Sequence, residues 1–219
     1  MPQKRVACYI DGFNLYHSID SLYPVYQPNR GVVHSFKWLN LWSLTSAFVQ
    51  SSTEEMVDVF YFTALARWLH QPRKRHEAFI RANQFYGVNV VLGHFKEKPD
   101  CCKRCGAKWK AHEEKQSDVN IASYLIHHAH LDRFDKALIM SADSDLCPAI
   151  QLILDDLPHK EIAILVPPNR YRITRELRGI VPAFKIKQKH LKNNRLPATI
   201  TSAEGDVVAA RPAKYSSPV

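Results

Sequence analysis

The chain has 219 residues, 46% hydrophobic and 23% charged, the balance of an ordinary soluble globular protein, which excludes collagen-like, repetitive and wholly disordered chains. Thirty Lys and Arg against 21 Asp and Glu leave a formal net charge of +9, a surface that attracts polyanions, nucleic acid first among them. No apolar run approaches the roughly 18 residues that cross a bilayer, and the apolar stretch 6–10 stops at Asp11, too short for a signal-peptide core, so a cytoplasmic location is expected.

The first element expected is a strand over residues 5–10, stopping at Asp11-Gly12, with helical spacing resuming at Phe13-Asn14-Leu15-Tyr16. Pro24, Pro28, Asn29 and Gly31 mark residues 21–36 as a loop. Trp38, Leu39, Leu41, Trp42, Leu44 and Phe48 recur at the spacing of an amphipathic helix, and residues 56–65 read as a buried strand. Pro72 opens a helix that Gly87 stops after Tyr86, and residues 88–95 form the next strand. Residues 96–113, with three of the five cysteines, break the pattern and read as an insertion. Ser117 is the expected N-cap of a helix reaching about His130. Strands at 136–140, 161–166 and 183–186 then alternate with helices at 144–154 and 174–178. Such alternation predicts an α/β domain with a largely parallel sheet covered on both faces. It spans residues 1–192, and the polar, proline-containing stretch 193–219 is a peripheral tail.

Ligands of an open parallel sheet sit beyond the carboxyl ends of its strands. Asp11 ends one strand, Asp143 and Asp145 closely follow another, and Asp118 opens a helix, so neighbouring strands would bring all four acids to one crevice. Carboxylates held together repel one another unless a cation joins them, and an all-oxygen donor set suits Mg²⁺ or Mn²⁺. Two such ions, about 3.5–4 Å apart, activate water for phosphodiester cleavage. Each acid also has a purely structural reading: Asp11 in an Asx-turn, Asp143 as an N-cap, Asp118 at the positive end of its helix. Their joint placement at strand ends favours the site.

The segments Tyr9-Ile10-Asp11-Gly12-Phe13-Asn14-Leu15, Glu114-Lys115-Gln116-Ser117-Asp118-Val119-Asn120-Ile121-Ala122 and Ile139-Met140-Ser141-Ala142-Asp143-Ser144-Asp145-Leu146 resemble those of the NYN-domain family. These are PIN-like, metal-dependent ribonucleases, and the resemblance is to the LabA/DUF88 branch over roughly residues 4–187. It implies a PIN-like three-layer α/β/α sandwich with a mainly parallel central sheet, and endonucleolytic cleavage of RNA. By the same resemblance Asp11, Asp118, Asp143 and Asp145 are the metal-binding acids, and Asn14 is their polar partner toward a water or a phosphate. Ser141 and Ser144 flank the third motif. Ala142 stands where such motifs usually carry Gly, and Gln116-Ser117 replaces the commoner lead-in to Asp118; neither change removes a ligand.

Cys102-x2-Cys105 holds half the ligands of a structural zinc site. Cys101 adds a thiol, and His112, or else His94, would complete the set, with free thiols the simpler reading. Cys8 and Cys147 fall on core elements. Basic residues gather around the Pro72 helix start (Arg73, Lys74, Arg75), through 96–110, and at 185–195, where Lys185, Lys187 and Lys189 alternate as on one face of an extended segment. With Lys115 these are the expected RNA contacts, and Trp109 or Tyr171 would stack bases if exposed. A metal-dependent endoribonuclease is therefore the expected function. The alternative is a catalytically silent RNA-binding module of the same fold. A phosphohydrolase with Asp11 as covalent nucleophile is disfavoured, because Phe13 stands where that route wants a second acid. A homodimer is the default prior for the assembly.

Overall fold

The computed structural model describes residues 2–23 and 30–216. Strand β1 (Lys4–Asp11) runs straight into α1 (Gly12–Asp20), and α2 (Arg30–Ser35) and α3 (Leu41–Ser46) precede β2 (Glu54–Thr63). Helix α4 (His70–Phe85) leads to β3 (Asn89–Leu92), and β4 (His94–Cys101) folds back on β5 (Lys108–Lys115). After α5 (Ser117–His130) come β6 (Lys136–Met140), α6 (Cys147–Asp156), β7 (Glu161–Val166), α7 (Arg175–Ile180), β8 (Ala183–Lys185) and α8 (Gln188–Asn193). Two short strands close the order, β9 (Thr199–Thr201) and β10 (Val207–Ala210).

Six strands form one sheet in the order β3-β2-β1-β6-β7-β8, and every neighbouring pair is parallel. The side-chain period of two explains why both faces of each central strand are apolar. On β1, Val6, Cys8 and Ile10 join one core, whereas Ala7 and Tyr9 join the other. The first core holds Leu15 and Ile19 of α1, Leu41 and Leu44 of α3 and Phe79 of α4; the second holds Ile121 and Leu125 of α5, Ile150 of α6 and Leu177 of α7. The result is the α/β/α sandwich expected from the alternation of elements.

Several local expectations are corrected. Pro24, Pro28 and Asn29 lie outside the described residues, and the second half of the 21–36 loop is helix α2, whose Val33 is fully buried in the first core. The helix expected over 38–48 contracts to α3, because Asn40 Oδ1 accepts the Ser43 N–H (2.9 Å) and caps it there, leaving Trp38 and Leu39 ahead of the helix and buried. The strand expected over 88–95 divides at Gly93, where a Cβ would stand 2.5 Å from the Lys115 carbonyl oxygen. Beyond Gly93 the insertion is an antiparallel hairpin, β4 with β5, turning at residues 102–107. Ser117 is the first helical residue of α5 and not its cap; Gln116 holds that position in the left-handed region (φ 80°). The helix expected over 144–154 is a 3-10 turn (Ser144–Leu146) followed by α6.

The segment after Asn193 packs onto the first core. Trp38 Nε1 donates to the Pro197 carbonyl (2.7 Å), Leu39 bridges Arg195, and Leu196, Ile200, Ala209 and Tyr215 are all buried.

Candidate active site

Strand order reverses between β1 and β6, since β1 connects outward to β2 while β6 continues toward β7. The crevice beyond their carboxyl ends is where doubly wound sheets bind ligands. Asp11 occupies the last position of β1, and the loop leaving β6 carries Ser141, Asp143 and Asp145.

Asp11 is almost fully buried, and its carboxylate is held from two sides: Oδ1 accepts the Asn14 N–H (2.9 Å), and Oδ2 accepts the Ser141 hydroxyl (3.0 Å). Ser141 Oγ in turn accepts the Asp143 N–H (3.1 Å), and Asp143 Oδ1 accepts the Asp145 N–H (3.0 Å). A chain of hydrogen bonds thus links three of the four expected acids. The Asx-turn and N-cap readings hold for Asp11 and Asp143 as well: each carboxylate caps the turn that follows it while facing the crevice.

Asp118 opens α5 on the other side. Its pKa is pushed up to about 6, by burial first and then by the charges of Asp11, Asp143, Glu114 and Asp145. Burial likewise raises Asp11, with Asp143 and Glu114 adding to the shift and the two hydrogen bonds opposing it. Asp11 and Asp118 therefore feel the charge of the neighbouring acids across the crevice, and a fifth acid, Glu114, is among them. Glu114, on β5, accepts the Ser117 hydroxyl (2.5 Å) and the Ser117 N–H (3.2 Å). The strand period would have separated Glu114 from Glu113, had β5 been recognised as a strand.

The donor set is all oxygen, of the kind that hard divalent cations take. Asn14 Oδ1 adds a buried acceptor with no hydrogen-bond partner. Both observations fit a cation and its hydration shell. The carboxylates stand apart, however: among the described residues no three His, Cys, Asp or Glu side chains are arranged to hold a metal ion.

The expected zinc set is not assembled. Cys101 pairs with Lys108 at the far end of the hairpin ladder, while His112 pairs with Glu97 four steps nearer the sheet and stacks on Trp68 (centroids 3.6 Å apart). Four strand residues span about 13 Å, too far for His112 to share an ion with the thiols. His94 is further still along the same ladder and meets Gln116 Oε1 (3.0 Å). All five cysteines are free thiols. Within the tip, the N–H groups of Cys105 and Arg104 point at the Cys102 sulfur and lower its pKa.

Of the expected RNA contacts, Lys115 is ion-paired with Glu113 (2.8 Å), and Arg73 with Glu77 (2.7 Å). Lys74 and Arg75 lie in the first turns of α4. Lys187 and Lys189 do not alternate with Lys185 on an extended segment, because α8 begins at Gln188. Lys185 instead covers the Tyr171 ring (3.7 Å), which Arg178 also contacts (3.9 Å), so Tyr171 is occupied; Trp109 is about half exposed.

The family model described as NYN domain matches residues 5–170. The chain belongs to the NYN domain family. The match spans both the switch-point acids and the hairpin that delivers Glu114. A curated relative of this NYN protein is 6-hydroxy-3-succinoylpyridine 3-monooxygenase HspA of Pseudomonas putida, 28% identical and covering 89% of this chain and 69% of its own. A crystal structure of a protein of unknown function from Vibrio parahaemolyticus superposes with a TM-score of 0.54 at 18% identity, covering 89% of this chain and 97% of that one, a likeness of fold. No helix among the described residues is long and apolar enough to cross a membrane.

Proposed function

We propose that this NYN domain, of the LabA/DUF88 branch, is a metal-dependent endoribonuclease of the cytoplasm, its ion held by Asp11, Asp118, Asp143 and Asp145. The observation that carries the reading is the gathering of these acids and Glu114 at the switch point, where burial first and then the neighbouring carboxylates raise Asp118 to about 6, a cost that a cation relieves. A Mg²⁺ or Mn²⁺ ion there supplies water activation and neutralises charge on the phosphodiester. Ser141 fixes the Asp11 carboxylate relative to Asp143. Asn14 Oδ1 is the free acceptor for a water or a ribose hydroxyl. The surrounding Lys and Arg residues bind the strand through its phosphates.

The test is cleavage of labelled single-stranded RNA with Mn²⁺, Mg²⁺ or EDTA, by the wild type and by Asp143→Asn. Cutting that needs the ion and is lost in the variant is the expected result. RNA that binds but stays intact with every ion, for both proteins, establishes the silent binding module instead. HspA's named reaction supplies a second reading, oxygenation of a pyridine ring, for which Phe13, two residues beyond Asp11, and Phe95 (5.6 Å apart, edge to face) offer an aromatic contact surface. It is read by dioxygen uptake with a hydroxypyridine carrying a carboxylate chain and a nicotinamide reductant.

A further inference from the structure

Next to the acids, on the α1 face of the sheet, lies a cleft whose mouth is open to solvent. Gly12 and Phe13, the two residues after Asp11, form its edge on the acid side. Three features of its lining define an occupant.

The first is shape and polarity. Phe13, Tyr16, Phe95 and Phe79 give the cleft an aromatic lining, with the small residues Ala64 and Ala66 beside them. A flat aromatic ring is the body such a lining accepts, by stacked or edge-to-face contact.

The second is the floor. His76 Nε2 lies 3.3 Å from the Tyr61 hydroxyl and 3.2 Å from the Thr63 hydroxyl. Burial holds the imidazole pKa down at about 4, so it is neutral at pH 7. A neutral Nε2 has either one lone pair or one proton to offer. It can accept from only one of the two hydroxyls, and the Thr63 hydroxyl also interacts with that of Tyr61, so the trio gives the cleft a polar, uncharged floor for a ring nitrogen or carbonyl.

The third is charge. Lys37, Arg73 and Arg75 line the cleft and no carboxylate does. Lys37 is ion-paired with Asp20 and Arg73 with Glu77, neither acid being part of the lining. Arg75 adds a further cation, and the positive surplus favours an anionic ligand.

We propose that this cleft binds a planar nitrogen heterocycle bearing an anionic group, with the ring against the aromatic lining and the anion at the Arg73–Arg75 rim. Two sources carry that chemistry: the base and phosphate of an unpaired nucleotide, or a free aromatic carboxylic acid. The nucleotide source rests on the nuclease reading and gives it a base-holding subsite adjoining the acids; the free-acid source does not.

Calorimetric titration of the full chain in EDTA separates these. The probes are 5′-UMP, 5′-AMP, uridine (ring without anion), ribose 5-phosphate (anion without ring) and nicotinate. The expected result is binding of the mononucleotides at least tenfold tighter than uridine or ribose 5-phosphate. Arg75→Gln should weaken them tenfold, and Thr63→Val should shift the UMP-to-AMP preference, with both variants showing wild-type circular dichroism. Nicotinate binding tighter than either mononucleotide keeps the cleft's chemistry and assigns the free acid as its source. Equal binding of UMP and ribose 5-phosphate, or no binding of any ring probe, overturns the proposal. Because no metal is present, a chain that binds UMP but never cuts RNA leaves the cleft standing without the nuclease. One that cuts RNA yet binds no ring probe leaves the nuclease without the cleft.

Discussion

Ser141 has no exposed surface, yet both functions of its hydroxyl are used, one toward Asp11 and one toward the Asp143 backbone. Replacing it with Ala removes both bonds and frees the Asp11 carboxylate to rotate. Removing such a supporting hydrogen bond costs about 10–100-fold in metal affinity or activity, so Ser141→Ala should lower kcat for RNA cleavage by that factor with KM nearly unchanged. Asp118 makes a pH prediction. Its pKa in the folded state, about 6, stands above the ordinary carboxylate value of 3.8. Its contribution to stability is therefore fully present below pH 3.8 and is lost as pH rises through 6. Solvent screening of this half-exposed group reduces the effect to about 1 kcal/mol, and thermal denaturation in EDTA should show Tm falling by about 2–4 °C between pH 5 and 7.5 on this account. Asp118→Asn should flatten that fall, and Mn²⁺ should raise Tm more at pH 7.5 than at pH 5. Asp11, Asp143 and Asp145 were legible in the sequence because each sits at or just past the end of an apolar run. Glu114 was not, because its place depends on a hairpin whose polar, alternating sequence looks like a solvated charge run until its partner strand is known.

At the scale of elements, the junction of β1 and α1 is the tightest. A Cβ on Gly12 would meet the Tyr61 ring at 2.6 Å and the Phe62 carbonyl at 2.7 Å, so α1 starts in contact with β2 only because residue 12 has none. Overpacking of this kind costs about 1–3 kcal/mol, and Gly12→Ala should lower the denaturant midpoint accordingly while displacing Asn14, whose backbone N–H holds Asp11. Strands β6 and β7 were legible to the residue, because continuous apolar runs of five or six residues leave a buried parallel strand few alternatives. Helix α3 was overextended, since Trp38 and Leu39 keep helical spacing but lie in a bend and an isolated bridge fixed by Arg195, Leu196 and Pro197, far along the chain. Periodicity sees burial, and here burial came from a partner the local sequence could not announce. The cysteine-bearing segment reads only as an insertion, without its strands, for the converse reason: its hairpin is exposed and buries too little to leave an apolar signature.

The whole molecule combines a net charge of +9 with a crevice of five acids. On the proposed reading, the excess of Lys and Arg on the remaining surface would draw in the phosphate chain, and the acids would exclude it until a cation intervened. RNA affinity should fall steeply with salt, and the log–log slope for a single strand decreases by about 0.7 for each phosphate contact removed. Lys187→Ala and Lys189→Ala, both in an exposed segment at the carboxyl edge of the sheet, should each reduce that slope without altering Tm; slopes identical to the wild type would place the strand elsewhere.

The bond from Trp38 to the Pro197 carbonyl also has a consequence in time. Its two partners lie 159 positions apart in the chain, and translation at about 5–20 residues per second separates them by roughly 10–30 s. Through that interval the nascent polypeptide carries Trp38, Leu39 and the underside of α1 without the Leu196, Ile200 and Tyr215 side chains that later cover them. The switch-point strands can pair as soon as β6 emerges, but this face stays sticky until the far end of the chain arrives. The fold is thus set early and sealed late, and its period of greatest exposure to aggregation falls on the ribosome.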